Sequence, residues 1–153
     1  MIPQVAAINQ KIWQGLQDYK LTPSAVAKES EWCRRVYLDL IGRIPTIDEL
    51  TIFEKDRPKD RKLNLVNTLL HNDDYTEEYA RNWTTIWTNV LIGRNGGNEN
   101  RSLTSRQGMQ TYWRAGYARN KSYDQMVLEL ISAEGVNTPG IKNFNGAVNF
   151  LAN

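Results

Sequence analysis

Cysteine and histidine are nearly absent: Cys33 and His71 are the single representatives of each. One cysteine excludes a disulfide within the chain, and one of each leaves no Cys/His set with the spacing of zinc ligands. No apolar run approaches the ~20 residues that a bilayer-spanning helix needs, so no membrane insertion is expected. An excess of one charge is missing too. Nineteen basic residues face seventeen acidic ones for a net +2, and the signs are interleaved along the chain, so no nucleic-acid partner is expected.

What remains is an ordinary helix-forming composition. With 41% hydrophobic residues and 153 positions, one domain can remove roughly 70% of its unfolded surface from water without staples. Apolar residues recur at three and four, and strand-like alternation is missing. The pattern predicts an all-α fold, a single compact orthogonal array of about seven helices.

The first helix runs from about Val5 to Tyr19 with Ile8, Ile12, Trp13 and Leu16 on one face. Thr22 and Pro23 read as the cap and first residue of the second helix, which stops at Gly42. Pro45 then blocks continuation, and Thr46 with Glu49 forms the capping-box pattern of a short third helix ending near Lys55. Pro58 opens the fourth helix. The fifth spans about Thr76 to Ile92, with a stripe of Tyr79, Trp83, Ile86, Trp87, Val90 and Leu91. The sixth presents Met109, Trp113, Gly116 and Tyr117, where Gly116 suggests a close crossing. Ser122 and Gln125 cap the seventh, which runs toward Gly135 and a loop-like tail.

Trp13, Trp83, Trp87, Trp113 and Tyr117 fall on apolar stripes, so core packing is expected of them. On the second helix, Leu38 points away from the main stripe, which predicts a helix buried on two sides and central to the fold. Arg35 and Asp39 lie beside Leu38, so Arg34, Arg35 and Asp39 are the candidate structural polar network.

For ligand contacts the first choice is the polar loop GRNGGNENR, with Arg94, Asn95, Asn98 and Arg101, because long loops on helical scaffolds often carry binding. It lacks the ending of a phosphate loop and does not follow a strand. Most carboxylates sit at helix N-termini, where capping and the helix dipole account for them. No catalytic, cofactor-binding or metal-binding residue is assigned.

The stretches CRRVYLDLIGRIPTIDELTIFEKD, LVNTLLHNDDYTEEYARNW and YWRAGYARNKSYDQMVLELISAEG, with the late NF pair, resemble a planctomycete-type domain of unknown function associated with cytochrome c domains, number fifteen-forty-nine in the unknown-function series. The resemblance covers about Ala25 to Phe150. Its most specific parts are Arg34, Arg35, Leu38, Asp39, Leu40, Gly42 and Pro45, and the group of Asn120, Tyr123 and Asp124. It implies an extracytoplasmic (periplasmic or secreted), multidomain protein whose family pattern continues into a Cys-x-x-Cys-His haem box.

No such box exists in this sequence, so any haem c belongs to a C-terminal region beyond Asn153. The opening MIPQVAAINQ lacks a signal-peptide pattern, and apolar Val148, Phe150 and Leu151 close the chain, so residues 1–153 are expected to be one helical domain at the N-terminal part of a longer protein.

The function expected is a non-catalytic scaffold or binding module, with the other domains of the same protein as partners. A polysaccharide-binding module is the first alternative, and part of an enzyme completed by a C-terminal region is the second. One measurement tests the polar network. If Arg35 and Asp39 are buried together, Asp39→Ala should lose about 3 kcal/mol or more in urea unfolding. A loss under ~0.5 kcal/mol marks an exposed pair.

Overall fold

The computed structural model describes residues 2–99 and 102–153. These residues form seven α-helices: α1 (Pro3–Asp18), α2 (Glu29–Leu40), α3 (Ile47–Lys55), α4 (Arg61–His71), α5 (Thr76–Ile92), α6 (Arg106–Ala118) and α7 (Tyr123–Ile131). Short 3-10 turns occupy Asp73–Tyr75 and Gly146–Phe150. Among the described residues no strand forms beyond one isolated bridge between Val136 and Phe144. The all-α expectation holds.

The apolar side chains gather in two clusters. Cys33, Tyr37, Ile41, Phe53 and Leu69 form the first, between α2, α3 and α4. Ile92, Met109, Trp113, Met126, Leu130 and Ala147 form the second, between the end of α5, α6, α7 and the last 3-10 turn. Helix α5 serves both: Tyr79 packs on the first cluster and Trp87 and Leu91 on the second.

This places α5, not α2, at the centre. Leu38 is 37% exposed, so α2 buries one side only. The stripe expected on α5 is also rotated. Its buried line is Ala80, Thr84, Thr88 and Ile92, spaced by four, while Ile86 and Val90 face solvent. Small side chains on that line let α6 approach closely, and the aromatic rings flank the seam instead of filling it. Along the flank Trp87 stacks on Trp113 (5.7 Å) and Trp113 on Tyr117 (5.5 Å), and Trp83 lies 6.4 Å from Tyr117. Gly116 is a close crossing as expected, since a Cβ there would come within 3.1 Å of Met126 Sδ on α7.

The N-terminal quarter departs from expectation. α1 buries none of its residues, and Trp13 is 56% exposed, so its apolar stripe does not join the core. Residues 21–28 are not helical, and α2 begins at Glu29, well after Thr22 and Pro23. The reason is lack of burial: Val26 is 94% exposed, and a helical turn with nothing to pack against gains too little to offset its nucleation cost. α4 likewise starts at Arg61, after a turn at Pro58, and α7 ends at Ile131, short of Gly135.

At the other end of the chain a buried amide closes the second cluster. Asn149 is fully buried, and its Oδ1 accepts the Ser105 N–H at the start of α6. Its Nδ2 donates to Gly146 O at 2.9 Å and Asn137 O at 3.2 Å. The approach requires Gly108, where a Cβ would fall 2.1 Å from Asn137 O. Asn149→Ala should therefore lower stability by about 3 kcal/mol in urea unfolding, because three backbone groups lose their partner in a closed site. A loss under ~1 kcal/mol would show that the backbone there finds other partners.

Candidate functional site

The loop from α2 to α3 carries the main charged constellation. Gly42 ends α2 with φ +79°, and Asn82 from α5 caps that end by donating its Nδ2 to Asp39 O and Leu40 O. Thr46 then caps α3: its side chain accepts from Glu49 N–H, and its own N–H donates to Glu49 Oε2 at 2.6 Å. The capping box read in the sequence thus forms, and it fixes the Glu49 carboxylate in one place.

That carboxylate meets Arg43. Arg43 Nη1 and Nη2 donate to the two oxygens of Glu49, each at 2.8 Å, and Arg43 Nε donates to Glu78 Oε1 at 2.9 Å. Nη1 also donates to Ile44 O, and the guanidinium lies 5.5 Å from the centre of the Tyr37 ring. Tyr75 donates its hydroxyl to Glu49 Oε1 at 3.0 Å. One arginine therefore ties the α2–α3 loop, α3 and the first turn of α5 together, with the fork geometry suited to carboxylates. Arg43 holds the Glu49 carboxyl down at about 2, helped by the Thr46 amide and the Tyr75 hydroxyl. Glu49 and then Glu78 push Arg43 above its ordinary value. Burial pushes the Tyr37 hydroxyl well above the ordinary phenol range, reinforced by Tyr75.

Beside this hub lies a cleft of about 310 Å³ between α3, α4 and the turn at Asp73–Tyr75. Phe53 and Tyr37 form its floor, Ile52 and Leu65 its apolar side, and Asp56, Arg61, Asn72 and Asp74 its polar edges. The floor has neighbours of its own: Trp32 stacks on Phe53 at 5.9 Å, and the Arg61 guanidinium lies 5.6 Å from its centre. Asn64 Nδ2 donates to Asp56 Oδ2 at 2.7 Å, and this bond leads the causes that hold the Asp56 carboxyl below its ordinary value. Arg61 Nε is buried and has no hydrogen-bond partner among the described residues.

The residues singled out in the sequence lie elsewhere. Arg34, Arg35 and Asp39 are all exposed, so the buried network expected of them does not form. Arg35, 63% exposed in its side chain, pairs with Glu31 on the same helix instead. An acid four residues before an arginine is the favourable orientation, whereas Asp39 follows Arg35 in the weaker one. The small Asp39→Ala loss is accordingly the outcome to expect.

Arg94, Asn95 and Asn98 are exposed on the turn after α5, and Arg101 lies outside the described residues. No hydrogen bond joins those three side chains among the described residues. The loop wraps another arginine: Arg106 Nη1 donates to Gly93 O (2.8 Å) and Gly96 O (3.3 Å), and Nη2 bonds Asn89. Arg43 and Arg61 were given no role in the sequence, and Glu49 and Glu78 only those of helix N-terminal carboxylates, Glu49 within the capping box. The one local signal for the hub was the capping box, since it immobilises a carboxylate six residues after Arg43.

A family model described as PSCyt2, protein of unknown function (DUF1549), matches residues 7–153 of the chain. No curated protein and no solved structure matches it.

The hub makes stability depend on pH in a defined window. Glu49 sits at about 2 in the fold against an ordinary 4.5, so its contribution is complete above about pH 4.5 and is lost as pH falls toward 2. Urea unfolding of the parent chain should lose about 2 kcal/mol from this group across that range, and Glu49→Gln should be less stable near neutrality with a flatter acid limb. Parallel pH profiles for the two proteins would show that the carboxylate is not stabilised by the fold.

Proposed function

The chain belongs to the PSCyt2 family of unknown function (DUF1549), and from that premise we propose that it is a non-catalytic helical binding module of an extracytoplasmic protein that also carries a c-type haem domain. The observation that carries the non-catalytic part is the state of the charged groups beside the cleft. Arg43, Glu49 and Glu78 are bonded to one another, and Glu49 stays ionised down to about pH 2. A general acid or base needs a group poised near the working pH, and Glu49 is held well below it while Arg43 is held above its ordinary value. Of the three, Glu49 lines the cleft, and its bonds to Arg43 hold it in place there.

Covalent haem does not fit the residues of this chain itself. Attachment requires accessible thiols, and Cys33 is fully buried with its thiol pushed up to about 11, first by burial and then by the charges of Glu49 and Glu54. His71 is exposed at the end of α4, where it suits the helix terminus. On this reading the haem sits on another domain of the same protein, and the helical module positions that domain or holds its ligand nearby.

A pyridine haemochrome spectrum of the full-length protein purified from its native host tests the proposal. A c-type haem signal is the expected result. A haem-free protein would overturn the cytochrome link.

A further inference from the structure

The cleft between α3 and α4 has the composition of a site for a particular kind of small molecule. Its volume of about 310 Å³ falls at the small end of ligand pockets. Its apolar side is formed by Ile52 and Leu65, both of which retain surface, while Phe53 is buried with Trp32 and the Arg61 guanidinium packed on its ring.

The polar edge is mixed in hydrogen-bonding sense. Asp56 and Asp74 supply acceptors, and the Arg61 guanidinium supplies donors. Asn72 Oδ1 is taken by the Asp74 N–H at 3.0 Å, which leaves its amide group to donate. The rim therefore offers both acceptors and donors.

Charge narrows the choice further. Arg43 is consumed by two carboxylates, so the cleft's own balance is set by Asp56 and Asp74 against Arg61. An anion would meet two carboxylates, and an ammonium would be pressed toward the guanidinium. A neutral molecule bearing several hydroxyls satisfies both kinds of edge, because each hydroxyl both donates and accepts. A saccharide ring adds an apolar C–H face that suits the Ile52 and Leu65 side.

We propose that this cleft binds a neutral pyranose unit, with the Arg61 guanidinium donating through its Nη groups to a hydroxyl oxygen and Asp56 and Asp74 accepting from neighbouring hydroxyls. The proposal rests on the reading of the chain as a binding module and is independent of any haem. It moves carbohydrate recognition away from the 94–98 turn, whose side chains do not converge.

The test is amide chemical-shift titration of the full 153-residue chain with cellobiose, maltose and mannobiose, alongside glucuronate and glucosamine as charged counterparts. Saturable shifts at Ile52, Asp56, Arg61 and Asp74 with at least one neutral disaccharide, and weaker binding of both charged sugars, are expected. Arg61→Lys keeps the charge but removes the forked guanidinium donors, and Asp74→Ala removes an exposed acceptor. Each should weaken binding about tenfold, the worth of one hydrogen bond to a charged group.

Absence of cleft shifts with every neutral probe at tens of millimolar would overturn the proposal, as would tighter binding of glucuronate or affinities unchanged in both variants. Saturable shifts confined to the 94–98 turn would overturn the cleft assignment while leaving the binding-module reading standing.

Discussion

The Arg43 guanidinium is the contact on which the first half of the molecule depends. It is only partly exposed, and three of its nitrogens are directed at carboxylates on two different helices. Removing either carboxylate leaves a half-buried cation short of a partner, and removing the arginine leaves two acids side by side. The position of α3 relative to α5, and so the shape of the neighbouring cleft, follows from that one side chain. Tyr37 beneath the guanidinium and Tyr75 on Glu49 extend the same network into the apolar cluster.

Helix α5 carries the second constraint. Its line of Ala80, Thr84 and Thr88 keeps the α5–α6 seam thin, while Glu78 and Asn82 on the same helix reach back to Arg43 and to the end of α2. The two clusters are thus joined through one element that is polar toward the loop side and small-residued toward α6. The family assignment over residues 7–153 includes most of α1, yet that helix contributes nothing buried to either cluster.

Legibility in the sequence tracked how local the determining interaction was. The capping box of Thr46 and Glu49, the ends of α5 and the crossing at Gly116 rest on neighbours within a few positions or on residue size, and all were readable. Periodicity also fixed the all-α class. It failed at Trp13 and Thr22, because an apolar stripe states what a helix is able to bury and not whether a partner surface exists. It misplaced the polar network because Arg35 and Asp39 share a helix, whereas Arg43 and Glu78 are separated by 35 positions and no local pattern links them. The unpartnered Nε of Arg61 was invisible for the same reason: an orphaned donor is a property of surroundings assembled from distant segments.

The Asn149 tie also orders events in time. The first cluster and the Arg43 hub use residues up to the early part of α5, so this part is complete in sequence once Asn82 has emerged from the ribosome. The second cluster is different, because the Ser105 N–H at the head of α6 receives its acceptor only from Asn149, 44 positions later. During synthesis α6 and α7 therefore wait with an open flank beside Trp113 until Asn149 has followed them. The nascent chain carries a finished part and an unfinished part at the same moment, and it is the unfinished one that a chaperone would meet.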